Sequence, residues 1–375
     1  MVNGMPAPRL GQRLVLLLTL LLAPLASSCG DSAPPLLSPF SRQVVDMAGN
    51  TVRLPREVRR IACLEVLCYE KLFLLGASDR IVMMTQTNAP WMERTNPAVK
   101  DILKIPAEPN SEELLNQHMD VVFRTTSYPS PGRIETLARL GVPILVSQAG
   151  GKGRLNTLAE FVDSRKQMLR LFGQVLGPAY LARAEAWCAY HDQKVALVRA
   201  RIANIPPAQR IRLFHVRGGP QTTQTHGSYS SNTFGYGELA GANMVVKNHP
   251  LVGRGEVSIE EILKWDPQVI NIGRHYSAEL ITKDPRWAQV SAVKNGRVHE
   301  LPEGVFYWDG STEGVLLMLY IAKELYPERF ADLDLKQEIR EYYARFYRVH
   351  LSDHELALML QGKGPDGLRR NTMGT

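Results

Sequence analysis

The chain has 375 residues, 45% of them apolar and 22% charged, which supplies packed cores and excludes disorder along most of its length. The formal charge of +7 is modest and spread out, with no Lys/Arg block of the kind that tracks phosphate, so nucleic acid is set aside as a partner. At about 100–200 residues per domain, the length suits two domains.

Arg9 and Arg13 precede the leucine-rich run Leu14–Leu22, and Ala23-Pro24-Leu25-Ala26-Ser27-Ser28-Cys29 follows. A basic segment, about ten apolar residues and small residues before a cut site make a secretory signal. The run is short of the roughly 20 residues of a membrane span. Small residues directly ahead of Cys29 resemble the bacterial lipobox, whose cysteine is lipidated and becomes the mature N-terminus. Ala26 stands where leucine is usual, with Leu25 one place further back. Residues 1–28 therefore read as a lipoprotein signal peptide, with ordinary cleavage near the same place as the alternative, and 29–41 as a flexible tether. Three further cysteines remain, Cys63, Cys68 and Cys188; Cys63 and Cys68 either bridge or stay as buried thiols, and no Cys/His cluster has zinc spacing.

Beyond the tether, Val44-Val45-Asp46 and Thr51-Val52-Arg53-Leu54 flank the turn-forming Met47-Ala48-Gly49-Asn50 and predict a hairpin. Short apolar strands then alternate with helices: Ile61–Cys63, a helix through Leu75, Ile81–Met84, Val121–Phe123, a helix around Ile134–Leu140, and Pro143–Val146. That alternation predicts an α/β layer on a largely parallel sheet. Leu158, Phe161, Val162, Met168, Leu169, Phe172, Val175 and Leu176 then recur at three- and four-residue steps, one apolar face of a helix. Gly177-Pro178 breaks it before a second helical run that ends at Pro206-Pro207. Alternation resumes with Ile211–Val216, Met244–Val246 and Val269–Ile272, and the chain closes with helices around Glu313–Leu325 and Leu335–Phe346. The polar residues 362–375 read as a disordered tail.

The two halves repeat each other weakly. Residues 110–123, NSEELLNQHMDVVF, parallel residues 258–271, SIEEILKWDPQVIN. In each, a capping residue (Asn110, Ser258) opens a short helix with Glu113 or Glu261 three places on, and a strand follows at the same offset. Upstream, Leu74-Leu75-Gly76-Ala77 matches Leu239-Ala240-Gly241-Ala242.

From the hairpin to about residue 361 the chain resembles the periplasmic substrate-binding proteins of ABC importers for ferric siderophores, haem and cobalamin. The residues that carry the resemblance are Asp46-x-x-Gly49, Arg59-Arg60-Ile61, Leu75-Gly76-Ala77 and Asn110-x-Glu112 in the first half. In the second they are Ala240-Gly241-Ala242-Asn243, Val257-Ser258-x-Glu260, and Trp287 with Ala292-Val293-Lys294-Asn295-Gly296-Arg297-Val298. The resemblance implies an α/β fold of two Rossmann-like lobes, 42–154 and 177–361, joined by a single long rigid α-helix, 155–176, with the ligand cleft between the lobes. It also implies a permease dimer with its ATPase as partner, a membrane-anchored protein of the periplasm or cell envelope, and docking to the permease through Glu112 and Glu260.

Open α/β sheets bind ligands at the carboxyl ends of their strands. That rule nominates Tyr69, Trp91 and Tyr128 in the first lobe and Arg217, Tyr229, Tyr236, Arg274, His275 and Trp308 in the second. Aromatic faces and guanidinium groups suit a flat, anionic metal chelate, so a ferric siderophore is expected first, then cobalamin, haem or a nickel or cobalt complex. No intrinsic cofactor is expected. His215, His226, His275 and His299 sit at no ligand spacing and read as structural. Enzyme motifs are missing: there is no G-x-S-x-G, no G-x-x-x-x-G-K-[ST] and no H-E-x-x-H. An envelope enzyme using the same cleft is the alternative of a different class.

Overall fold

The computed structural model describes residues 40–106, 112, 116–126, 137, 139, 141–148, 155–217, 223–229, 231–249, 254–274 and 276–369. Cys29, the signal peptide and most of the tether lie outside the described residues, as do Asn110, Glu113, Tyr128 and His275.

Strands β1 (Phe40–Val45) and β2 (Thr51–Pro55) pair antiparallel, the hairpin read from the sequence. Asp46 explains its Asp-x-x-Gly spacing. Its Oδ1 accepts from the Ala48 and Asn50 N–H groups at 2.9 and 2.8 Å while Gly49 turns at φ +84°, where the missing Cβ removes the steric cost. Its Oδ2 accepts from the Val146 N–H at 3.0 Å and so stitches the hairpin to the first lobe.

That lobe is built on β3 (Ile61–Cys63), β4 (Ile81–Thr85), β5 (Leu103–Ile105), β6 (Val121–Arg124) and β7 (Ile144–Val146), all parallel in the order β5-β4-β3-β6-β7. Cys63 at the end of β3 and Cys68 at the start of α1 (Cys68–Leu75) form a disulfide, and Cys188 is a buried free thiol. Helix α1 ends at Gly76, φ +77°, where the Ala77 N–H returns to the Leu72 carbonyl at 2.8 Å.

Helix α2 (Leu158–Leu176) leads from the first lobe to the second. A capping box opens it: the Thr157 hydroxyl accepts from the Glu160 N–H and the Glu160 carboxylate accepts from the Thr157 N–H, each at 3.1 Å. At 1.5 Å per residue it is a rod of about 28 Å. It lies against α3 (Pro178–Ile202), and a Cβ at Gly173 would fall 2.7 Å from the Leu181 Cα, so the two backbones meet there.

The second lobe holds β8 (Arg212–Val216), the ribbon strand β9 (Gln224–His226), helix α4 (Asn232–Leu239), β10 (Asn243–Met244), the second ribbon strand β11 (Arg254–Glu256), helix α5 (Ile259–Trp265), β12 (Val269–Ile272) and β13 (Val298–Glu300). The parallel sheet runs β10-β8-β12-β13, and β9 and β11 pair antiparallel beside it. Helix α6 (Gly314–Leu325), apolar from Gly314 to Leu319, is buried on nearly every side.

Helices α7 (Leu335–Tyr342) and α8 (Asp353–Leu360) then carry the chain back to the first lobe. The Tyr347 hydroxyl donates to Glu70 Oε1 at 2.6 Å, the Tyr347 and Phe73 rings stack at 5.1 Å, and Arg94 pairs with Glu355 at 2.6 Å. Residues 362–369 correct the expectation of a disordered tail. The buried Trp91 indole N–H donates to the Lys363 carbonyl at 3.0 Å, and Arg369 pairs with Glu300 at 2.7 Å. A buried indole donor needs an acceptor, and this polar segment supplies it.

Candidate functional site

In each sheet the strand order reverses once, between β3 and β6 and between β8 and β12. The loops that leave β3 and β8 face a cavity of about 140 Å³, beside the switch points where open α/β sheets bind ligands. Among the described residues, Leu67 and Gln148 come from the first lobe, Arg165 and Met168 from the rod α2, and Arg217, His226, Ser231, Asn232, Asp309 and Gly310 from the second lobe. A larger furrow of about 1150 Å³ runs along the outer side of α2 against β1, lined by Arg42, Glu160, Asp163, Gln167 and Arg170. It is open, and it lies away from the carboxyl ends of the strands.

The wall is charged by arginine. Arg165 donates from Nη1 to Asn232 Oδ1 at 2.9 Å and lies over the Phe161 ring at 5.0 Å; its Nε is buried with no hydrogen-bond partner among the described residues. Burial lowers its pKa. Asn232 is held in turn by the Ser311 carbonyl at 2.9 Å. Arg217 extends β8 into the ribbon, its N–H donating to the Gln224 carbonyl at 2.8 Å and its carbonyl accepting from the Gln224 N–H at 3.1 Å.

Asp309 is the one carboxylate among the described lining residues, and Arg274 takes up its charge. The two pair at 2.5 Å, with a second contact from Arg274 Nε at 3.2 Å, while the guanidinium lies over Tyr307 at 4.7 Å. Burial works against the Asp309 charge, but Arg274 and Arg217 prevail and hold the carboxyl well below its usual range. Burial also pushes the His226 imidazole down to about 3, aided by Arg217 and His215, and His215 down to about 4. Both are neutral at physiological pH. His226 Nδ1 has no partner among the described residues. The first turn of α4, at Ser231 and Asn232, presents the positive end of a helix to the same space. With Arg274 offsetting Asp309, Arg165 and Arg217 leave the described lining net positive.

Of the residues nominated from sequence, Arg217 lines the cavity and Arg274 stands behind it on Asp309. Tyr236 is buried against His191 at 3.2 Å and lines a chamber behind Arg165 of about 10 Å³, room for one water. Tyr229 turns its hydroxyl onto Glu238. Tyr69, Trp91 and Trp308 are fully buried and do not line this cavity. Tyr69 accepts from Asn96 at 3.0 Å and Trp91 is committed to Lys363, so their polar tips point to packing partners. Glu112 and Glu260 are both exposed. Sequence reasoning missed Arg165, Gln148, Asn232 and Asp309.

Two parallel-sheet lobes bridged by a rod, with an arginine-lined hollow between them, have the architecture of a substrate-binding protein. The chain belongs to the periplasmic binding protein family of ABC importers, whose model matches residues 61–305. It is 28% identical over 355 residues to the molybdate-binding protein MolA of Haemophilus influenzae, covering 88% of this chain and 96% of that one. The molybdate-bound structure of MolA superposes with a TM-score of 0.73 at 24% identity, covering 83% of this chain and 99% of that one. CeuE of Helicobacter pylori with Ni(II) bound superposes at 0.68 with 19% identity, covering 85% and 100%. A protein of an Fe3+-hydroxamate transport system from Saccharomonospora viridis superposes at 0.59 with 19% identity, covering 76% and 98%. Membership of a family of binding proteins sets the envelope-enzyme alternative aside.

Proposed function

We propose that the chain captures a compact, doubly charged oxyanion of the molybdate class and delivers it to its permease. One observation carries this: Arg165 and Arg217 face a cavity of about 140 Å³ whose only described carboxylate is already paired with Arg274. Pockets for organic ligands usually run to about 300–1,000 Å³, so the size disfavours the siderophore, haem and cobalamin expected first from sequence. Molybdate binding by the relative MolA points the same way. Charge-assisted hydrogen bonds from two guanidinium groups suit tetrahedral oxygens.

Calorimetric titration with molybdate, tungstate, sulfate and phosphate, beside a ferric hydroxamate, Ni(II)–histidine, haem and cyanocobalamin, tests the reading. Saturable binding of an oxyanion alone is expected. Arg165→Ala and Arg217→Ala should each weaken it by about tenfold or more, the worth of one charged hydrogen bond. Tight binding of a chelate with no response to oxyanions would overturn it. The metal-chelate reading keeps one observation of its own, the neutral His226 imidazole on the wall, whose Nδ1 has no partner among the described residues.

The same proposal has Cys29 tether the protein to the membrane and Glu112 and Glu260 meet basic residues on the permease. Exposed charge pairs of this kind set orientation and encounter rate more than affinity. Glu112→Lys with Glu260→Lys should therefore cut uptake in cells while leaving the dissociation constant of the purified protein unchanged.

A further inference from the structure

We propose that Glu65 is a positioning residue of the ligand site, acting through Gln148; this rests on the reading of the 140 Å³ cavity as the ligand site. The first lobe gives the described wall only Leu67 and Gln148, and Glu65 holds both. Its Oε2 accepts from the Leu67 N–H at 2.9 Å and from Gln148 Nε2 at 3.2 Å, and its Oε1 accepts from the Ser147 hydroxyl at 2.9 Å. Glu65 is 4% exposed, and none of these three donors belongs to a strand ladder. A carboxylate only accepts, so it admits one orientation of the Gln148 amide, nitrogen inward. The two faces of an amide are otherwise nearly interchangeable. Glu65 thus decides which atoms of Gln148 are left for cargo.

The carboxylate is itself held firmly. It sits in the short loop between β3 and α1, closed by the Cys63–Cys68 disulfide with 5.4 Å between Cα atoms. The Cys68 N–H donates to the Glu65 carbonyl at 3.2 Å, and the Leu64 N–H donates to the Phe123 carbonyl at 2.9 Å, which fixes the loop to β6. A hydrogen bond to a buried carboxylate also polarises the amide that makes it. The disulfide, the carboxylate and the glutamine form a short chain of supports that ends at the cavity, opposite the arginines of the rod and the second lobe.

The test is a double-mutant cycle on the full-length protein with molybdate as the probe: wild type, Glu65→Gln, Gln148→Ala and the double variant. Glu65→Gln, and equally Glu65→Asp should the first fold poorly, changes which amide atoms face the cavity and is expected to change molybdate affinity about threefold to tenfold. In the Gln148→Ala background the same change should have no further effect, since coupled residues are not additive. Reduction of the disulfide should likewise change the affinity of the wild type more than that of Gln148→Ala. Full additivity would overturn the proposal. Alongside, the side-chain amide resonance of Gln148, assigned by its loss in Gln148→Ala, should move in Glu65→Gln. If molybdate does not bind the wild type, the oxyanion reading falls and the amide signal alone decides: a shift sustains the positioning role, and an unmoved signal ends it.

Discussion

His215 and His226 are held far below the free imidazole value by burial and by the neighbouring Arg217 and Arg274, with Asp309 only partly opposing. Oxyanion affinity should therefore stay flat from about pH 5 to about pH 8, where an ordinary histidine titrates; a step near 6.5 in calorimetric titrations would contradict the assignment. Stability behaves differently. Between 6.5 and about 4 and 3 the unfolded chain binds protons at these two positions and the folded chain does not, so stability is lost as pH falls through that window. Melting curves of His226→Gln should show a shallower acid slope than those of the wild type. The residue scale is also where sequence reasoning was least complete. Arg217 was legible because it ends a strand, and the strand-end rule is topological. Arg165 was not, because a helix read for its apolar face hides what its polar face meets, and Asp309 became meaningful only once Arg274 was seen across from it.

The rod was the most legible element. Its apolar period runs Leu158–Leu176 and the helix has the same bounds because Thr157 caps it, three residues after the 155 bound that the resemblance implied. Thr157→Ala should cost about 1 kcal/mol of stability, the usual worth of such a cap, seen as a lower midpoint in chemical denaturation. Gly173 makes a sharper case. Alanine favours a helix by about 1 kcal/mol over glycine, yet the new Cβ would meet the Leu181 backbone at 2.7 Å. Gly173→Ala is therefore expected to lower the melting temperature, against intrinsic propensity, by prising α3 from α2. The Ser258–Glu261 capping box was likewise readable and forms with both bonds, at 3.1 and 3.2 Å, because it is written in adjacent residues.

At the scale of the whole molecule the two lobes share more than the rod. Glu70 from α1 meets Thr312, Tyr347 and, through Thr312, Tyr342, while Glu313 accepts from the Val305 and Phe306 N–H groups at 3.2 and 3.0 Å and from Tyr343. Burial raises both carboxyls, Glu313 to about 8. A carboxyl raised on folding contributes stability that is full below its free value of 4.5 and lost as pH climbs through about 8. Alkaline destabilisation should thus be weaker in Glu313→Gln, again read from melting curves, and with the histidines it places the stability maximum between the acid and alkaline losses. No local pattern announces this clamp: Tyr347 and Glu70 are 277 residues apart, and the polar C-terminal segment looks like a solvated tail until its partners are in view.

How unequally the wall is shared bears on redesign. Among the described lining residues the cationic groups arise from residue 165 onward, so charge preference ought to be transplantable in one contiguous block, 158–369, onto the first lobe of a relative that keeps counterparts of Glu65 and Gln148. Such a hybrid would keep the donor's appetite and the recipient's half of the transporter contact. It would assemble only if the recipient lobe offered its own counterparts of Glu70 and Trp91 for the returning C-terminal strap to grasp.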